Sequence, residues 1–406
     1  MKILQITSWD SIGQQFNGYQ IHQALLERGE ESHMAVHKAE FSHSSIHQIG
    51  NRFTRKLDRY LSAIERRLSL HAFLPLVSAS TLYFSDYYQQ ADLIHLQLIH
   101  AESFFSLFNL PLMSGQKKTI WTLHDPWMLA GHCIHSLDCD RWLTGCGNCP
   151  DLKSPFPIQK DTTALTWKLK HWIMHHSQII LVVASQWMYN RVKKSPILSH
   201  LPCHIIPLGS NLKQFQPRDQ NTSRLRFGIP PEAQVLAFRY RGESESYKGG
   251  YWLKQALAML KVDKPTYLIT FDTYGGLESF KDKYKIIELG WVSEQDLLVD
   301  ALNAADIFLM PSVAESFGMM AVEAMACATP VIVFEGTALT NVIKNSGVSV
   351  PYKDSQALSQ AIEKLLQDIK LRQKLAQKGL KLVREEYDSE LYIQRHLDLY
   401  TNLLNN

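Results

Sequence analysis

Two glutamates with seven residues between them, Glu315 and Glu323, stand in the stretch PSVAESFGMMAVEAMACATPVIV (311–333). From Gly318 to Ala328 nothing breaks a helix. The run is apolar around nearly its whole circumference, which marks a buried helix. A carboxylate in such a helix is costly unless something satisfies it. The two hydroxyls of a vicinal diol, as on a ribose, would satisfy Glu323 as an acceptor. An Arg or Lys across a domain core would also satisfy it. The preceding strand and turn lead into the helix N-terminus, a geometry that aims backbone N–H groups and a positive dipole end at an anion. Gly318 allows close approach of a phosphate. Ser316 adds a hydroxyl, and Glu315 faces whatever lies beyond the phosphates.

Cations should meet the same anion. In LAFRYRGESESYKGG (236–250), Arg239 ends a strand and Lys248 precedes a Gly pair that opens a helix. Arg acts there as a fork and Lys as a point charge. Farther forward, His124 in TLHD (122–125) sits where a strand's carboxyl end should point into a ligand site, with Asp125 next to it to orient or cap.

Four of the six cysteines, Cys133, Cys139, Cys146 and Cys149, follow a C-x5-C-x6-C-x2-C spacing. Four thiolates make a closed structural zinc site, and in a reducing compartment disulfides are the weaker explanation. Zinc and unligated thiols both remain open at this point. NRFTRKLDRYLSAIERRLSL (51–70) sets Arg52, Arg55, Lys56, Arg59, Arg66 and Arg67 against Asp58 and Glu65, with Phe53, Leu57, Leu61, Ile64 and Leu68 on another face. Such a helix can lie on the inner membrane surface, or pack its apolar face on a core and leave the charges solvated.

These residues need elements to carry them. Strand-like and helix-like pieces alternate from KILQIT (2–7) to CHIIPLG (203–209), and again from AQVLAFRY (233–240) to TPVIVFE (329–335), with polar SNLKQFQPRDQNTS (210–223) as a linker. The pattern predicts an α/β chain of two Rossmann-like, doubly wound parallel sheets facing a cleft. The domains expected are 1–212, with a Cys-rich insertion at 133–149, and 213–386. A last helix, 387–406, packs back on the first. A length of 406 residues exceeds what one core supports. The composition, 45% hydrophobic and 20% charged, is that of an ordinary folded chain. A net charge of +3 gives no footing for nucleic acid as the partner. No apolar run is long enough to span a bilayer, and the opening MKILQITSWD reads as a strand, not a secretion signal. A cytoplasmic location, with peripheral contact at the inner membrane through 51–70, is the expectation.

The Glu pair and its surroundings resemble the signature of glycosyltransferase family 4. IHQALLERGEESHMAV, IWTLHDPWMLAGHC, VVASQWM and FEGTALTNVI with GVSVP resemble other segments of its polysaccharide-building members, of the capsule, O-antigen and exopolysaccharide type. The resemblance implies the GT-B fold and retaining transfer of a sugar from a nucleotide diphosphate sugar to a glycan or lipid-linked glycan hydroxyl. It implies that Glu323 binds ribose hydroxyls, that Glu315 lies by the donor sugar, and that the Phe317–Gly318 backbone faces the diphosphate. His124 would bond a sugar hydroxyl or stabilise developing charge. Arg239 and Lys248 would neutralise the leaving group, and no catalytic metal is implied. Family members carry two adjacent glycines after the first strand. This chain has Ile12-Gly13, so only Gly13 carries over. The Gly-Arg pair usual five residues before Lys-Gly is also missing, which leaves Arg239 and Arg241 as alternatives. A GT-B nucleotide-sugar epimerase and an inactive glycosyltransferase-like binding subunit are the competing readings.

Overall fold

A computed structural model describes residues 1–102, 104–153, 156–242, 246–272 and 275–405. Among the described residues thirteen strands form two sheets, parallel throughout. The first holds β1 (Lys2–Trp9), β2 (Glu31–Lys38), β3 (Ile46–Gln48), β4 (Leu93–Leu96), β5 (Lys118–Leu123), β6 (Ile179–Val183) and β7 (Cys203–Ile205), in the order β3-β2-β1-β4-β5-β6-β7. The second holds β8 (Gln234–Tyr240), β9 (Thr266–Asp272), β10 (Lys285–Glu288), β11 (Ile307–Met310), β12 (Val331–Phe334) and β13 (Val348–Val350), in the order β10-β9-β8-β11-β12-β13. These are the two doubly wound parallel sheets expected of the sequence. Among the described residues no helix is long and apolar enough to cross a membrane.

Two compact units divide the chain, Met1–Ile206 with Ile393–Asn406, and Pro207–Tyr392. In each, buried strands read as continuous apolar runs because helices cover both faces. Trp121, Trp127, Phe104 and Phe105 fill the first core, and Phe238, Leu257, Leu309 and Phe334 the second. The strand order reverses between β1 and β4 in one sheet, where Ile6 pairs with Leu96, and between β8 and β11 in the other, where Phe238 pairs with Leu309. Ligands of such sheets bind beyond the strands' carboxyl ends at these reversals.

The polar stretch 210–223 is more structured than a linker. Phe215 is buried, and a helix, Gln220–Arg226, starts inside it with Asp219 capping the Thr222 N–H at 2.8 Å. Arg218 pairs with Asp300 at 2.8 Å and Asp296 at 2.7 Å. The helix Arg52–Arg67 also departs from expectation. Thr54, Asp58, Ser62 and Glu65 face inward, and the apolar side chains do not.

Candidate anion and diol site

In the second unit the site grows from the reversal between β8 and β11. β11 stops before Pro311, and a turn delivers the chain to the helix Met319–Ala326. Gly318 holds φ +103°, the left-handed region, and a Cβ there would run into the Leu339 side chain. The N-cap residue is this glycine, which has no side chain to cap the first N–H groups, and Ser316 is buried in the same turn. The Lys248 loop is tied to that turn by hydrogen bonds from the Val313 and Ala314 N–H groups to the Tyr247 carbonyl, at 2.9 and 3.3 Å. Gly249 fits against the Pro311 carbonyl, where a Cβ would clash.

This stacking brings Lys248 Nζ to 2.9 Å from Glu315 Oε2. Glu323 lies buried in the helix, and among the described residues no hydrogen bond or ion pair reaches its carboxylate. Burial pushes its pKa up to about 7, against the opposing pull of Arg239's charge. The arginine reading of Glu323 therefore holds only as a field across space. Arg239 itself, next to last in β8, forms an ion pair with Asp272, and Arg241 Nε stands 3.6 Å from the same carboxylate. Asp272, at the end of neighbouring β9, was not anticipated from sequence, because 33 residues separate it from Arg239.

The first unit gathers a second cluster. Gly13 has φ +69° in a tight turn whose carbonyl accepts the Phe16 and Asn17 N–H groups, both at 2.8 Å. The Phe16 ring lies 5.5 Å from that of His124, so the turn and the histidine are neighbours. His124 Nε2 lies 2.9 Å from Gln97 Oε1. Beyond it runs a buried relay. Gln97 donates to Gln5 Oε1 at 3.2 Å, Gln5 donates to the Tyr400 hydroxyl at 3.2 Å, and Tyr400 bonds His95 Nδ1 at 2.5 Å. His95 Nε2 meets Thr122 Oγ1 at 2.7 Å. Burial lowers the His124 pKa to about 4, so the ring is neutral at pH 7. Asp125 acts as a cap. Its carboxylate accepts the Trp127 N–H at 2.9 Å and pairs with His100 at 3.1 Å. Burial would raise the Asp125 pKa, but His100, the Trp127 N–H and His135 together outweigh it and hold the carboxyl down to about 2.

The zinc expectation needs correction. Cys133, Cys139, Cys146 and Cys149 do line one cavity. Yet among the described residues no three His, Cys, Asp or Glu side chains are grouped to hold a metal ion. Two of the sulfurs have backbone partners. Cys149 Sγ donates to the Asp151 carbonyl at 3.1 Å, and Cys146 Sγ accepts the Gly131 N–H at 3.3 Å. The thiols are free, and burial raises the Cys133 pKa to about 12.

Residues 234–368 match the family Glycosyl transferases group 1. The D-inositol 3-phosphate glycosyltransferase of Jonesia denitrificans is 29% identical over 192 residues, 42% of this chain and 45% of the relative. The chain thus matches less than half that relative's length. A protein of Escherichia coli K12 named as a colanic acid biosynthesis glycosyl transferase, WcaC, is 25% identical over 234 residues, 56% of this chain and 54% of the other. Among solved structures, Anabaena Alr3699/HepE in complex with UDP and glucose superposes with a TM-score of 0.68 at 14% identity, over 99% of this chain and 100% of that one.

Proposed function

We propose that this chain, with a Glycosyl transferases group 1 domain at 234–368 and a GT-B fold, is a retaining glycosyltransferase. It moves a hexose-type sugar from a nucleoside diphosphate sugar to a hydroxyl of a glycan or lipid-linked glycan, in the assembly of a cell-surface polysaccharide. One observation carries the reading. Glu323 is a buried carboxylate that no hydrogen bond or ion pair reaches among the described residues, in a helix whose N-cap residue is a glycine with no side chain to offer. A ribose diol and a diphosphate would supply what both lack.

In this reading the Phe317–Gly318 backbone and Ser316 take the diphosphate, Lys248 and Arg239 neutralise it, and Glu315 stands by the sugar. Departure of the diphosphate breaks its bond to the anomeric carbon. The acceptor oxygen then bonds that carbon on the same face, and its proton passes to a leaving phosphate oxygen. The protein's contribution is electrostatic, through cations and N–H groups already fixed where charge develops. His124 and Gly13, in the first unit, serve the sugar and the acceptor.

The UDP complex of the Anabaena structure makes uridine donors the first to try. A thermal-shift panel of nucleotide sugars tests the reading, since a ligand at 100 times Kd stabilises by about 2.7 kcal/mol. Release of nucleoside diphosphate only when an acceptor is present supports transfer. Glycan acceptors and inositol 3-phosphate belong in the same panel, given the relatives' names. An isomerised donor without acceptor would replace transfer with epimerisation. Binding of no donor at all would remove the enzyme reading.

A further inference from the structure

We infer that the helix Arg52–Arg67 is a docking surface for an anionic lipid bilayer. Its burial is inverted relative to its sequence pattern. The inward face is polar, with Glu65 only 1% and Asp58 3% exposed. Both acids are used up by backbone. Glu65 Oε1 accepts the Phe73 and Leu74 N–H groups at 2.6 and 3.1 Å, and Asp58 accepts those of Val77 and Ser78 at 3.1 and 2.7 Å. Asn51 caps the start, with its side chain accepting the Phe53 and Thr54 N–H groups at 2.9 and 3.0 Å. The helix is therefore locked in rotation by its polar side, and its apolar side is left outward.

Phe53 is 74% exposed, Tyr60 66%, Leu68 52% and Leu57 38%. At about 100° per residue these four form one stripe with the half-buried Leu61 and Ile64. Arg52, Arg55, Lys56, Arg59, Arg66 and Arg67 form a second stripe beside it. Among the described residues none of these six cations makes an ion pair. The helix's two acids both point inward, so the outer surface carries positive charge alone. Large apolar side chains left in water over a whole helix mark an interaction site.

Charge complementarity and the pairing of the two stripes choose the occupant. A nucleic acid would use the cations and leave the Phe and Leu stripe in water. A bilayer takes both, the apolar stripe entering the headgroup boundary and the cations meeting anionic lipid phosphates. This goes beyond the proposed transfer reaction and does not depend on it.

Sedimentation of the full chain with vesicles decides the matter. We expect partitioning onto phosphatidylcholine vesicles containing roughly 30% phosphatidylglycerol, weaker onto pure phosphatidylcholine, because each basic residue near an anionic surface adds to binding. Salt at about 0.5 M should release much of it, since exposed charges are then screened. Lys56→Glu with Arg59→Glu, and separately Phe53→Ser with Leu57→Ser and Tyr60→Ser, should each lower the partition coefficient at least about tenfold. Their circular-dichroism melts should match that of the parent, because these side chains are outward. Parent-like partitioning of both variants would overturn the inference, as would no binding to the anionic vesicles. A dimer in light scattering that the Phe53 variant makes monomeric, without vesicle binding, would assign the face to a second copy instead.

Discussion

Lys248 Nζ donates to Glu315 Oε2 across 2.9 Å, so the loop after β8 and the turn after β11 are joined by a charge-assisted bond. Neither group is deeply buried, with 22% and 17% of the side chain exposed. A diphosphate arriving at the helix start can therefore draw Lys248 away from Glu315. Lys248→Ala should weaken nucleoside diphosphate binding about tenfold or more, the worth of a hydrogen bond to a charged group. Nucleoside affinity should be unmoved. Titration calorimetry with both ligands checks this, and equal losses for the two would take Lys248 away from the phosphates. Glu315→Gln should tighten the free nucleoside diphosphate while slowing transfer.

Glu323 predicts a pH dependence of stability without ligand. Its carboxyl titrates at an ordinary 4.5 when unfolded and at about 7 when folded, chiefly through burial. The protonated form is favoured in the fold. The stability it contributes is full below about pH 4.5 and is lost as pH rises through about 7, on the order of 3 kcal/mol in all. Glu323→Gln should flatten urea stability across that window and abolish stabilisation by nucleoside diphosphates. Binding near pH 6 should release a proton, because hydroxyl donors favour the carboxylate. Calorimetry in two buffers of different ionisation enthalpy measures the release, and no release would detach Glu323 from the ligand.

Local pattern made one part of this site legible. The apolar run around Glu323 and the glycine before it announce a buried helix start with an orphan acid, and the helix Met319–Ala326 is found there. Partners supplied by distant chain were not legible. Asp272 reaches Arg239 only because β8 and β9 pair, and Tyr400 reaches His95 from 305 residues away. Periodicity in 51–70 showed the stripes but not which one turns inward. That is decided by the backbone N–H groups of residues 73–78, which need Asp58 and Glu65. The edge strands β3 and β13, three residues each, are too short to carry a pattern. Cysteine spacing brought four thiols to one cavity but could not say where each sulfur points.

Lys170 is a structural support that no motif announced. It is fully buried under the segment after β5, donating to the Trp127 and Ala130 carbonyls at 2.8 and 2.7 Å with its ammonium 3.5 Å from the Trp127 ring centroid. Burial lowers its pKa to about 7. Lys170→Met would leave two buried carbonyls without their donor, a loss of about 2–4 kcal/mol. Chemical denaturation should show it, and an unchanged midpoint would mean that water replaces the ammonium. Because folding favours the neutral amine, the contribution from Lys170 is lost as pH falls through about 10.5 toward 7, so its replacement should matter most on the alkaline side.

Gln97 sets which nitrogen of His124 carries the proton. Its amide nitrogen faces Gln5 Oε1 at 3.2 Å, which turns its oxygen to His124 Nε2 at 2.9 Å. The neutral ring must then donate from Nε2, leaving Nδ1 as a bare acceptor. A ring with a pKa of about 4 stays in that state across the neutral range, so no acid limb from His124 should appear above about pH 5. Gln97→Glu places a carboxylate on Nε2, raises the His124 pKa and should bring such a limb into the transfer rate. Gln97→Leu should lower kcat with donor affinity unchanged, while Tyr400→Phe, farther along the relay, should cost less. Nitrogen-15 imidazole shifts report the tautomer directly. A parent Nδ1–H signal, or a pH profile that Gln97→Glu leaves unmoved, would break the link between this relay and catalysis.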